Sequence, residues 1–271
     1  MNLKYYIGAL FSLPLLPLMY IQGRIIRVKI PKLPEATGIK GFCPINGQAE
    51  KTIQILTLGE STIAGVGVKT HKEGFTGALA TELSKLLTVN VNWKVYAQSG
   101  YTASDVTKLI VPTIHENKVD LIVIGLGAND AFSLHRPSKW IKDCQVLIER
   151  LQVRFPKTPI VFCNMPPVKE FPAFTSLIKL TIGNLIVLLG QELGKLVKQY
   201  DGVYYYGDII TFEDWMEKLQ IDAKKSDFFS DGVHPSKLTY QAWGKDIAVR
   251  VANENKIVGM LQEKYLALKP R

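Results

Sequence analysis

A chain of 271 residues, 47% of them hydrophobic, has enough apolar material for one sizeable core and shows no sign of a second domain. Its three cysteines, Cys43, Cys144 and Cys163, are odd in number and have no paired spacing, which excludes a disulfide framework and a cysteine metal motif. The formal charge of +9 does not mark a nucleic-acid binder, because the basic residues gather beside an apolar N-terminus: Lys4, Arg24, Arg27, Lys29 and Lys32 stand against Glu35 alone, so +4 of the total lies in the first 35 residues.

Tyr5 to Ile21 is free of charge and is bounded by Lys4 and by Arg24 and Arg27. As a helix it would be about 25 Å long, at the short limit for crossing a bilayer, and Pro14 and Pro17 predict a kink. Leu18-Met19-Tyr20-Ile21 offers no small-x-small site, so an uncleaved anchor or embedded segment over residues 1–29 is expected rather than a cleaved signal. The larger basic count after the segment favours a cytoplasmic catalytic domain. Residues 30–50 hold Pro31, Pro34, Gly38, Gly41, Pro44 and Gly47 and read as a linker.

From residue 51 to the end the sequence alternates between two patterns. Apolar strand-like runs fall at 52–58, 91–97, 120–126, 158–163 and 202–206, and helix-period stretches at 74–88, 102–116, 137–154, 175–200 and 236–253. Five strands alternating with helices predict a parallel sheet covered on both faces. The stretch 175–200 is apolar enough to suggest a second span, but Lys179, Asn184, Gln191 and Glu192 interrupt it, so a buried or lid-forming helix is expected.

Chemistry concentrates at the ends of these strands. Gly59-Glu60-Ser61-Thr62 follows the first, where the carboxyl edge of a parallel sheet presents side chains to a ligand. Asp231-Gly232-Val233-His234-Pro235 places an acid and a base three residues apart on one loop. Hydroxyl, imidazole and carboxylate are the parts of nucleophilic acyl transfer, since a serine needs a base within hydrogen-bond reach. His234 is the best candidate of four histidines, as it follows a loop acid and precedes Pro235 and a helix start; His71, His115 and His135 lack that setting. The segment has no second glycine after Ser61, unlike the G-x-S-x-G elbow of the common α/β-hydrolase fold. Between these segments lie Gln98-Ser99-Gly100-Tyr101-Thr102 and Gly125-Leu126-Gly127-Ala128-Asn129-Asp130, each after a predicted strand.

Four such blocks in this order, over residues 50–252, resemble the GDSL esterase/lipase superfamily, also called SGNH hydrolases. The resemblance implies a flavodoxin-like three-layer α/β/α fold with a five-stranded parallel sheet, here preceded by an N-terminal hydrophobic helix. It implies Ser61 as nucleophile, His234 as general base and acid, and Asp231 as the group that orients the imidazole. It also implies an oxyanion hole of the Ser61 and Gly100 backbone N–H groups and the Asn129 amide, with no cofactor and no metal. The acid before the serine is usually aspartate in the family; here Glu60 is one methylene longer, a change expected to affect loop packing more than chemistry. Asp130 is expected to bond neighbouring backbone.

Loops at 165–172 and 211–229, with Phe212, Trp215, Phe228 and Phe229, are expected to shape the acyl and alcohol pockets. Their apolar lining suits a lipid-like or short acyl carboxylic ester, and residues 5–21 would hold the site near a membrane; no obligate protein partner is expected. Two alternatives stand beside this reading: a carbohydrate O-acetylesterase of the same fold, and a non-catalytic flavodoxin-like binding module whose Gly59–Gly65 loop cradles a phosphate. Against the second, the loop lacks the residues of a P-loop or dinucleotide site.

Overall fold

The computed structural model describes residues 3–45, 51–208, 211–220 and 222–266. Its centre is a six-stranded sheet in the order β1-β3-β2-β4-β5-β6, with β1 Lys40–Cys43, β2 Thr52–Gly59, β3 Asn90–Ala97, β4 Leu121–Gly125, β5 Ile160–Phe162 and β6 Val203–Tyr205. All five expected strands form and pair in parallel. The correction is the sixth: β1 pairs antiparallel with β3, from Lys40 opposite Lys94 to Cys43 opposite Val91, inside the stretch read as a linker. A four-residue edge strand between proline and glycine carries too little apolar alternation to stand out in sequence, and an edge is where short strands are tolerated.

Period-two alternation sends each strand to two cores. Leu56 and Leu58 of β2, with Ile122, Ile124, Ile160 and Phe162, face one helical layer. Ile53 and Ile55, with Val91, Leu121, Val123 and Val161, face the other. The helices, in chain order, are α1 Leu3–Ser12, α2 Leu16–Lys29, α3 Phe75–Leu87, α4 Ala103–Asp105, α5 Ala128–Phe132, α6 Pro137–Arg154, α7 Ser176–Val197, α8 Phe212–Leu219, α9 Lys237–Asn253 and α10 Asn255–Leu266. The pair α3 and α9 covers one face; α6 and α7 cover the other, joined where the Trp140 indole N–H donates to the Leu189 carbonyl at 3.1 Å. The apolar helix α7 thus lies between two strands of the sheet and contributes ten buried residues to the domain, as a core helix does.

Two helical stretches differ from their predicted form. Residues 102–116 do not make one helix: α4 widens into a π-turn over Val106–Ile110 and closes in a 3-10 turn at Val111–Thr113, since Pro112 has no N–H for a continued α ladder. At the N-terminus a single 3-10 turn, Leu13–Leu15, joins α1 to α2 around Pro14, and the helix continues through Arg24 and Arg27 to Lys29.

Strand order reverses at β2, whose sequence-adjacent partner β3 lies on one side and β4 on the other. Carboxyl ends of strands at such a reversal open a crevice for ligand. Gly59 and Gly125 are register partners at that point, and a Cβ on Gly59 would stand 2.3 Å from the Gly125 carbonyl oxygen, so the two strand ends approach this closely because Gly59 carries no side chain.

Candidate functional site

Ser61 sits on a tight turn at the end of β2, closed by the Ile63 and Ala64 N–H groups donating to the Glu60 carbonyl at 2.9 and 2.8 Å. His234 comes from the loop before α9. There Asp231 Oδ1 accepts the backbone N–H of Val233 (2.9 Å) and of His234 (2.7 Å), a local turn that leaves Oδ2 to meet His234 Nδ1 at 2.7 Å. Ser236 caps α9 directly after Pro235, which fixes where the loop ends. The Asp231 side chain is fully buried and the ring of His234 is a quarter exposed. Burial on its own would raise the Asp231 carboxyl; the His234 ring and the backbone N–H groups of His234 and Val233 outweigh it and hold the carboxyl below its ordinary value. With Nδ1 engaged, Nε2 is the imidazole nitrogen left to act on a ligand.

Ser61, Asn129 and His234 line one cavity of about 190 Å³ at the strand-order reversal. Among the described residues no hydrogen bond joins the Ser61 hydroxyl to the His234 ring; such contacts commonly tighten only when substrate binds. Asp231 lies behind His234 and does not line the cavity. Gly100 is exposed, outside the cavity wall, at φ +87°, a left-handed conformation in which a side chain would be strained. Its loop is tied to the cavity through neighbours: Asn129 Nδ2 donates to the Tyr101 carbonyl at 3.1 Å, which leaves the second amide hydrogen for a ligand, and Gln98 N–H donates to the Gly59 carbonyl at 3.2 Å. Glu35 Oε1 also accepts the Ser99 N–H at 2.6 Å, so the segment before β1 braces this loop.

Glu60 has a packing role, as expected. Its two carboxylate oxygens accept the N–H groups of Ala128 and Asn129, each at 2.9 Å, which joins the turn carrying Ser61 to the helix start carrying Asn129. Burial pushes its carboxyl up to about 8, with the two N–H groups opposing and the charge of Asp130 adding to the rise. A folded value above the unfolded one means that the folded state holds the extra proton between the two, so stability falls as pH rises from about 4.5 to about 8. Glu60→Gln cannot ionise and offers one acceptor fewer. It is expected to be less stable than the parent at pH 5 by about 1–3 kcal/mol, with a flatter dependence up to pH 8. Urea unfolding at a series of pH values reads this; equal slopes in the two proteins would refute it.

Asp130 bonds neighbouring backbone as expected, accepting Ala103 N–H at 3.0 Å, and also meets His135 Nδ1 at 2.9 Å. With Asp143 these residues bring three possible ligand atoms within 4.8 Å of one another, but each already has a protein partner, Asp143 pairing with Lys139. His71 is buried, which pushes its ring down to about 4, away from a base's working range at neutral pH.

Much of the remaining cavity wall is aromatic. Phe171, Phe212, Trp215, Phe228 and Phe229 come from the two loops expected to form it, with ring centroids 5.2 Å apart for Phe171–Phe229 and 5.1 Å for Phe212–Phe229; Ile221 of the second loop lies outside the described residues. The sequence reading missed Phe132, on the short helix after Asn129, and Trp243, on α9, whose indole donates to Asn164 Oδ1 at 2.7 Å. Nothing local marks either one, because a helix-period aromatic reads as core.

Together these features define a class: a mostly parallel α/β sheet with a serine, an asparagine and an aspartate-paired histidine gathered at its strand-order reversal is a doubly wound α/β protein of the hydrolase kind. The chain belongs to the GDSL-like lipase/acylhydrolase family, whose model matches residues 57–242. Solved structures share the fold at low identity. A lipase from a goat rumen metagenome, Lip_vut3, superposes with TM-score 0.57 at 19% identity over 76% of this chain and 99% of its own. The family 3 carbohydrate esterase of Clostridium thermocellum gives 0.52 at 19%, over 75% and 100%. A variant of the acetyl-xylooligosaccharide esterase Axe2 of Geobacillus gives 0.54 at 11%, over 78% and 98%. No curated protein matches the chain.

Proposed function

We propose that this protein hydrolyses carboxylic esters with an apolar acyl group, through Ser61, His234 and Asp231. The observation that carries the reading is the shared cavity: Ser61, Asn129 and the histidine of the Asp231–His234 pair line one largely apolar space. Ser61 Oγ attacks the ester carbonyl carbon while His234 Nε2 takes its proton. The Asp231 carboxylate holds the ring tautomer and stabilises the imidazolium that forms. Negative charge on the carbonyl oxygen is met by the Ser61 N–H and by Asn129 Nδ2, the two of the three expected donors whose residues line the cavity. His234 returns the proton to the departing alcohol, leaving an acyl-serine. Water, deprotonated by the same imidazole, then releases the acid and restores the hydroxyl.

Deacetylation of a carbohydrate is the second reading, prompted by the two carbohydrate esterases that share the fold. A sugar acetate needs a shallow polar site, whereas seven phenylalanine and tryptophan side chains line this one. Activity on p-nitrophenyl esters from acetyl to palmitoyl discriminates between them. The expected optimum lies at octanoyl or longer; an acetyl optimum with a steep fall by octanoyl would favour the carbohydrate ester. Residues 1–29 are proposed to keep the enzyme at a membrane.

A further inference from the structure

The N-terminal helix carries a pattern that its uniform apolarity hides. Its less exposed positions include Tyr5, Ala9, Ser12, Leu16, Met19, Gly23 and Ile26. They recur in alternating steps of four and three residues, the 3.5-residue spacing of a helix docked along a partner. Met19 is buried, and Leu16 and Ile26 pack against the core beneath α6 and α7. Gln22, midway along α2, accepts a hydrogen bond from Thr175 Oγ1 at 2.7 Å, and Thr175 is the N-cap of α7. Since α1 packs on the body of α7, the two helices run antiparallel.

Between them lies a second cavity, of about 370 Å³, whose wall includes Tyr5, Phe11, Leu16, Leu134, Leu180 and Leu188. Leu134 is two residues from Phe132 of the catalytic cavity. The Phe132 ring is 5.4 Å from Phe174, which is 5.5 Å from Phe171 of the same cavity, so an aromatic partition separates the two spaces.

The surroundings name the occupant. The outer face of the helix leaves Leu10, Tyr20, Ile21 and Val28 between 55% and 85% exposed. No acidic residue precedes Glu35, and Arg24, Arg27 and Lys29 stand exposed at the end of α2. An apolar face of this extent with a basic end fits the acyl region and anionic headgroups of a bilayer, and a groove opening beside it meets hydrocarbon.

We propose that the groove between the N-terminal helix and α7 binds an acyl chain of a membrane lipid. The helix lies along the catalytic domain at the membrane face and forms one wall of this site, instead of standing off as a tether. In naming the substrate as a membrane lipid ester this rests on the ester-hydrolase reading; chain binding itself does not.

The test uses the full chain on phosphatidylcholine–phosphatidylglycerol vesicles that contain a phosphatidylcholine with a diazirine in one acyl chain. Irradiation is expected to label residues 180–188 as well as the outward-facing positions of the 18–21 segment, Leu18, Tyr20 and Ile21; Met19, buried in the groove wall, is left out of that set. A Cβ at Gly8, which lines the groove, meets nothing within 4 Å, so Gly8→Trp fills the space; Leu180→Glu, at an exposed position, places a charge in its wall. Each variant is expected to cut labelling of 180–188 by about tenfold, the effect of expelling roughly two methylenes from an apolar site, and to leave 18–21 labelled and hydrolysis of a soluble acetyl ester unchanged. Labelling of 18–21 without 180–188, no labelling of either, labelling that both variants leave unchanged, or cross-links only between two copies of the chain would each overturn the proposal. If the expected labelling holds while the parent protein hydrolyses no ester of any length, the ester-hydrolase reading fails and the acyl-chain site stands.

Discussion

Ser61→Ala is expected to lower kcat on its ester substrate by on the order of 10⁴–10⁶, with KM little changed. In the proposed mechanism the Ser61 hydroxyl is the group that forms the acyl bond, while the aromatic residues of the cavity wall are left intact. Residual rate comes from binding and from donors to the developing oxyanion, as in other triads once the nucleophile is lost. Because Ser61 lies on a turn closed by Glu60, Ile63 and Ala64 backbone atoms, a methyl in place of the hydroxyl removes chemistry without removing a structural bond. The unfolding midpoint is expected to stay with the parent protein. Steady-state kinetics on the preferred chain length, beside a thermal melt, read both parts; a loss smaller than tenfold would remove Ser61 from the reaction.

The second large effect is Asp231→Asn, expected to cost about 10³–10⁴ in kcat. Asp231 Oδ1 already accepts two backbone N–H groups, and an asparagine carbonyl keeps those bonds. Its NH₂ then faces His234 Nδ1 where Oδ2 stood at 2.7 Å. A donor there makes Nδ1 the acceptor and puts the proton on Nε2, the wrong tautomer for removing a proton from Ser61. Loop geometry is retained, so the loss belongs to kcat. Stability should respond as well. The folded-state carboxyl lies below its ordinary value, so its stabilising contribution is present at neutral pH and is lost as pH falls through the folded value. The variant lacks that acid-limb dependence, which unfolding followed from about pH 5 downward through the ordinary carboxyl value of 3.8 measures; an unchanged kcat in a folded variant would remove Asp231 from the mechanism.

The parts of the fold written in strong periodicity were readable in advance. The buried runs of β2 and β4 are apolar on both faces because a parallel sheet is covered twice, and α6 appears within its expected residues. The antiparallel β1 was not readable: Lys40-Gly41-Phe42-Cys43 alternates over four positions only, amid glycine and proline. The break after Asp105 also escaped notice, because Pro112 acts on a helix that the preceding apolar residues otherwise support. In the site, Ser61, Asn129 and His234 do share a cavity, while Gly100 stands outside its wall. The partners of Glu60 were not readable, because which N–H groups a carboxyl meets is a tertiary fact: it reaches Ala128 and Asn129, 68 and 69 residues away in the chain, a packing role of the kind expected. The docking stripe of the N-terminal helix was hidden for a different reason. When nearly every position is apolar, exposure alone separates the buried positions from the others.

The central claim is that Ser61 is an activated nucleophile served by His234. Its most direct measurement is labelling of the folded full-length protein in lipid with a fluorophosphonate probe, located by peptide mass spectrometry, with His234→Ala as control. A single phosphonyl adduct on Ser61, lost in the control, is expected. No adduct on Ser61 in the folded protein, or an adduct equally strong without His234, would contradict the claim.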